Sequence, residues 1–165
     1  MAALEKGTQA PEIQLSSTDG KGFSLNTARE QSPVVAAFFK ISCPVCQFTF
    51  PYLERIYQAY KGKGAAIVGV SQDSKADTDA FARQYGITFP ILLDDPKRYP
   101  VSNAYGITNV PTTFEISKSG AIDLSSVGWS KSDIEELNHK VAQSAGVPPA
   151  ALFKPGENVP EFKAG

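Results

Sequence analysis

Apolar positions along the chain fall into runs with two different periods. "VVAAFFK" (34–40) is an unbroken apolar run after the turn residues Ser32-Pro33 and predicts a buried strand. From Pro44 to about Tyr60 the period changes: Phe48, Tyr52, Leu53, Ile56 and Tyr60 recur at three- and four-residue steps, which predicts a helix. Pro51 lies inside that helix, so a kink is expected there. "GAAIVGVS" (64–71) predicts a second buried strand, and 75–85 a helix with Phe81 and Tyr85 on one face and Gly86 as its stop.

"FPILLD" (89–94) reads as a short strand or extended segment, and 97–105 as a short helix. "TTFEIS" (112–117) and "AIDLSSVG" (121–128), joined through Lys118-Ser119-Gly120, predict a hairpin. A helix follows in "SKSDIEELNHKVAQSAG", with Ser130 and Asp133 at capping-box spacing and Gly146 at the stop. Strands alternating with helices and closed by a hairpin imply an α/β fold with a mixed central sheet. No linker interrupts the pattern before about residue 146, giving one domain over 1–146 and a Pro/Gly-rich tail over 147–165. That tail is expected to be irregular. Its "GENVPEF" (156–162) echoes "GTQAPEI" (7–13). Both can be extended surface segments with a turn, or the tail can lie beside a sheet edge or on a neighbouring subunit.

Composition narrows the function classes. With 165 residues, 42% hydrophobic and 20% charged, the chain can bury one proper core. A formal net charge of −1 without a basic stripe argues against a nucleic-acid partner. No run approaches the length of a membrane span, so no membrane association is expected. "MAALEKGTQAPEI" lacks the basic start and apolar run of a signal peptide, so the expected compartment is the cytoplasm.

Candidate chemistry lies in "FFKISCPVCQFTFP" (38–51), which holds both cysteines of the chain. Cys43 falls just before the helix start and Pro44 opens the first turn, where a missing N–H costs nothing. Unpaired N–H groups and the helix dipole at that end favour a thiolate, the attacking species of thiol chemistry. Cys46 lies one turn on, on the same side, within reach of a mixed disulfide on Cys43. A zinc site needs about four Cys/His ligands. Only His139 on a distant helix joins the two cysteines, so no metal is expected. A structural disulfide closing so short a loop would remove little chain entropy. A redox pair is the favoured reading, with the dithiol itself as the only redox group and no other cofactor.

Strand, Cys-x-x-Cys, proline-bearing helix and the later "VPTTF" together resemble the thioredoxin-like superfamily, in its redoxin branch of TlpA/ResA-type disulfide reductases and the neighbouring AhpC/TSA peroxiredoxins. Matching features run from Gly7 to about Gly146: the "G-x-x-A-P-E-I" entry, Pro51 five residues after the second cysteine, and an inserted helix and strand after the active-site helix. The resemblance implies a thioredoxin-like three-layer fold. It also implies a cis peptide at Pro111 facing the dithiol, with Val110 and Pro111 orienting an extended substrate by strand-like pairing. The expected activity is disulfide exchange, with Cys43 as nucleophile and Cys46 resolving. Expected partners are a disulfide-bearing protein or a small thiol or disulfide, and a thiol reductant.

Several positions depart from the family pattern. Ser42 stands where many members carry Trp, and Thr49 where Glu is frequent. Ala36, Ala37 and Phe38 replace the strand that holds a buried Asp in thioredoxins. Thr49, a water or Lys40 is then left to serve Cys46, and the dipeptide Pro44-Val45 between the cysteines leaves the direction of exchange open. The alternative is a peroxiredoxin-like peroxidase with Cys46 peroxidatic and Cys43 resolving, since Pro44-Val45-Cys46 matches part of a peroxiredoxin motif. In that alignment the motif's proline falls on Phe39 and its threonine on Cys43, and no arginine follows Arg98. Exchange is the favoured activity. A binding adaptor whose dithiol is incidental is a third reading, with Phe48 and Phe50 as an apolar rim or core, and Trp129 as a packing anchor.

Overall fold

The computed structural model describes residues 2–165. The apolar run forms β3 (Val34–Phe39), fully buried along its length. It is preceded by β1 (Gln14–Ser16), β2 (Gly22–Ser24) and the one-turn α1 (Leu25–Ala28). Then come α2 (Pro44–Tyr60), β4 (Ala66–Ser71), α3 (Lys75–Tyr85), β5 (Ile91–Leu93) and α4 (Pro100–Ala104). The C-terminal third holds β6 (Thr112–Ile116), β7 (Ile122–Val127), β8 (Trp129–Ser130), α5 (Lys131–Ala145) and β9 (Phe162–Lys163). No helix among the described residues is long and apolar enough to cross a membrane.

Five strands form the central sheet in the order β5-β4-β3-β6-β7. β3, β4 and β5 run parallel, while β6 pairs antiparallel with β3 and with β7. This is the mixed sheet the alternating pattern predicts. Alternate residues of β3 feed two cores. Val35, Ala37 and Phe39 meet Phe50, Leu53 and Ile56 of α2, Phe81 of α3 and Leu137 and Val141 of α5. Val34, Ala36 and Phe38 meet Ile13, Leu25, Tyr105, Phe114 and Ile116 on the other face. Helices therefore cover both faces, as in a thioredoxin-like three-layer fold.

Capping follows the residue types present. Ser74 and Ser130 accept N–H bonds from Asp77 and Asp133, and Gly86 and Gly146 close α3 and α5 in the left-handed region. Asp133 does not reach back to complete the capping box; its carboxylate accepts from Ser126 Oγ at 2.7 Å. The 17-residue α2 continues through Pro51, whose ring removes the donor that Gln47 C=O would have met. Buried Glu54 ties α2 to the segment before β5, accepting from Thr88 N (2.9 Å) and Thr88 Oγ1 (2.6 Å).

Two parts of the fold lie outside what periodicity predicts. The β1–β2 hairpin has three-residue strands, too short for a period-2 signal, although Asp19-Gly20 in its turn is a hairpin dipeptide. The tail, expected to be irregular, carries β9, which pairs antiparallel with β8. Of the two readings of the tail, pairing with a strand is the one observed, but beside β8 in a separate two-stranded sheet.

A β-bulge in the hairpin lies opposite a buried acid. Glu115 pairs with Leu124 and Ile116 with Ile122, which leaves Asp123 as the extra residue. The Asp123 carboxylate accepts from Lys140 Nζ at 3.0 Å. Glu115 is 4% exposed, and its Oε2 accepts no hydrogen bond among the described residues. Burial, opposed by Lys140 and reinforced by the Asp123 charge, pushes the Glu115 carboxyl up from 4.5 to about 7. The unfolded chain thus ionises near pH 4.5 while the folded protein keeps its proton to about 7. Stability falls as pH rises across that interval and is level above it. Glu115→Gln, which imitates the protonated acid, is expected to gain on the wild type across the same interval in denaturant titrations. Parallel pH profiles for the two proteins would refute this.

Candidate active site

β3 and α2 place the two cysteines. The strand ends at Phe39, and the turn over 40–42 is held from two sides: Ile41 N–H donates to Asp73 Oδ2 at 2.8 Å, and Gln47 Nε2 donates to Ile41 O at 2.9 Å. Cys43 is the N-cap of α2, with extended backbone (φ −83, ψ 115), and Pro44 occupies the first turn. Cys43 N–H donates to Lys40 O at 3.3 Å, so the turn closes on itself.

The Cys43 sulfur accepts the Cys46 N–H at 3.2 Å, as a helix-capping group does. Both cysteines are reduced, Cys43 partly exposed and Cys46 fully buried. Burial pushes the Cys46 thiol far up, and the neighbouring Cys43 and the Asp73 charge add to the effect against a weaker opposing contact with the Lys40 backbone. The pair is therefore asymmetric: one sulfur is reachable and meets a helix N–H, the other is buried and held as a thiol.

The third component comes from the loop before β6. The Val110–Pro111 peptide is cis, and the Cys43 thiol donates to Val110 O at 3.4 Å. The two halves of the motif, 67 residues apart in sequence, meet at one carbonyl. Beside it opens a cavity of about 190 Å³ lined by Lys40, Gln72, Tyr99, Asn103, Thr108 and Val110.

Among the supporting residues, Val45 packs against the helix-side core. Lys40 is exposed, and lines the cavity. Thr49 is buried, and its hydroxyl donates to Val45 O at 2.7 Å, within its own helix, with no hydrogen bond to Cys46. Asp73, two residues past the end of β4, is the carboxylate whose charge bears on Cys46, and sequence reasoning missed it. Its signal was the polar "SQDS" directly after a buried parallel strand, where α/β folds place functional groups. Phe50 is core, Phe48 lies at its margin against Trp129, and Trp129 is the expected anchor, 1% exposed.

Comparison with known proteins agrees with this geometry. The model of the AhpC/TSA family matches residues 6–125. The chain is 33% identical over 136 residues to the thiol-disulfide oxidoreductase ResA of Geobacillus thermodenitrificans, covering 81% of this chain and 76% of that one. To ResA of Bacillus subtilis it is 32% identical over 121 residues, 73% of this chain and 66% of the relative. A crystal structure of a putative thiol:disulfide interchange protein DsbE from Chlorobium tepidum superposes with a TM-score of 0.74 at 30% identity, covering 87% of this chain and all of the other.

Proposed function

The chain belongs to the AhpC/TSA family and is a thiol–disulfide oxidoreductase, and within that activity we propose that Cys43 attacks, Cys46 resolves and Val110 with Pro111 orients the substrate. The observation that carries the assignment is the asymmetry of the pair: the Cys43 sulfur is reachable and faces Val110 O, while Cys46 is sealed.

The Cys43 thiolate attacks one sulfur of a substrate disulfide. That S–S bond breaks, the distal sulfur leaves as a thiolate and takes a proton, and a mixed disulfide remains on Cys43. Cys46 then loses its proton and attacks the Cys43 sulfur, forming the Cys43–Cys46 disulfide and releasing the second substrate thiol. Two electrons pass from the dithiol to the substrate, and a thiol reductant restores the pair. The redox centre is the dithiol itself. Lys40 contributes its carbonyl to the Cys43 turn, Pro44 and Val45 set the helix start, and Thr49 holds the first turn. Asp73 fixes the turn through Ile41, and its charge helps to hold Cys46 as a thiol.

The family's chemistry implies disulfide-bearing protein substrates. A buried Cys46, held as a thiol, is a poor peroxidatic residue, which supports exchange over peroxide reduction. Stopped-flow oxidation of the reduced protein by hydrogen peroxide tests this. The expected rate is that of an ordinary protein thiol. A rate orders of magnitude faster, lost in Cys46→Ser and kept in Cys43→Ser, would transfer the assignment to a peroxidase.

A further inference from the structure

Residues 150–165 return along α2 to the dithiol, and the sequence is built to seat them. Ala150 N–H donates to Tyr60 Oη at 3.0 Å, and Asn138 Nδ2 to Ala150 O at 2.9 Å. Leu152 is buried, and Phe153 packs against Tyr52 and Trp129. Arg55 grips Glu157 through two bonds of 2.8 Å while lying 4.5 Å from the Tyr52 ring centre. Beyond this anchor, Trp129 Nε1 donates to Pro160 O at 2.7 Å, Lys131 N–H to Glu161 O at 2.9 Å, and β9 pairs with β8.

The last residues reach the active site itself. Lys163 Nζ lies 5.2 Å from the Phe48 ring centre, and Asn109 Nδ2 donates to Gly165 O at 3.2 Å. Two glycines make the approach possible. Gly128, at φ +75, offers a bare backbone on which a Cβ would come within 2.5 Å of Lys163 O. At Gly165 a Cβ would come within 2.5 Å of Val110 O, the same carbonyl that the Cys43 thiol contacts. All five residues of 161–165 are exposed, so none of them is itself part of the core. Val110 also borders the 190 Å³ cavity lined by Lys40, Gln72 and Thr108, whose lining includes none of residues 161–165.

Building on the exchange activity above, we propose that residues 161–165 are a specificity determinant: they wall off the Gly128 side of Val110, so that Cys43 accepts disulfides carried on an extended, flexible segment entering from the cavity side and rejects disulfides held in a folded surface. The chemistry of exchange is unchanged; the strap sets which disulfides reach it.

Gly165→Val, whose side chain has no room against Val110, and the double variant Glu157→Ala, Gly165→Val, which also frees the anchor, test this. The substrates are a short flexible disulfide peptide and insulin, whose disulfides sit in a folded protein. Wild type is expected to favour the peptide. Both variants are expected to raise kcat/KM for insulin by about tenfold and to leave that for the peptide within about twofold. An unchanged insulin rate, or an equal rise for both substrates, overturns the proposal. Alkylation of Cys43 by iodoacetamide and by a maleimide carried on a small folded protein reads access without exchange. The ratio of large to small reagent is expected to rise by about tenfold on release of the strap, and a constant ratio refutes it. A shifted ratio in a protein that exchanges no disulfide would instead sink the activity and leave the strap standing.

Discussion

Cys43→Ser is expected to lower kcat/KM for disulfide reduction by at least about 10³-fold, because a serine hydroxyl is not ionised near neutrality and forms no mixed disulfide. The substitution keeps the N-cap, since Ser is itself a preferred capping residue, so the fold survives and the loss reports chemistry alone. Cys46→Ser has a different expected phenotype. The Cys46 N–H that meets the Cys43 sulfur is backbone and stays, so attack proceeds. Resolution fails, and a mixed disulfide accumulates that non-reducing gels and intact mass reveal. In the wild type, the upward shift of the Cys46 thiol makes resolution faster as pH rises. Full turnover by Cys43→Ser would overturn the assignment of roles.

The largest stability effect is expected at Trp129. Its indole is 1% exposed, packs at 4.9 Å from both Phe48 and Tyr52, and donates to Pro160 O. Trp129→Ala removes that ring from between α2, α5 and the tail, at an expected cost of about 3–5 kcal/mol in denaturant unfolding. Trp129→Phe keeps part of the packing and loses the N–H bond to Pro160, an expected cost of about 1–2 kcal/mol. A loss below about 1 kcal/mol for Trp129→Ala would mean that the ring is not the joint between tail and domain.

Cys43, Pro44 and Cys46 were legible in the sequence because the N-terminus of a helix is a local property, written in residues that are neighbours in the chain. The cis-proline segment was legible only through the resemblance carried by "VPTTF"; nothing local says that Val110 O meets Cys43. Asp73 was missed because its contact with Ile41 joins residues 32 apart, across two parallel strands. Thr49 was expected near Cys46, but its hydroxyl is taken by the carbonyl one turn back, a competition that helix geometry offers every mid-helix threonine.

By itself the sequence determined the period of each element, hence the α/β order, the buried strand that ends at the dithiol and the helix start that shapes Cys43. Those are short-range matters of φ/ψ preference, capping and side-chain spacing. Only the tertiary structure decided which carbonyl faces the sulfur, which carboxylate bears on Cys46, that Glu115 is buried opposite the bulge at Asp123, and that the tail comes back to Val110. Each of these depends on contacts between residues far apart in the chain, where burial and close packing, not local propensity, choose the partner.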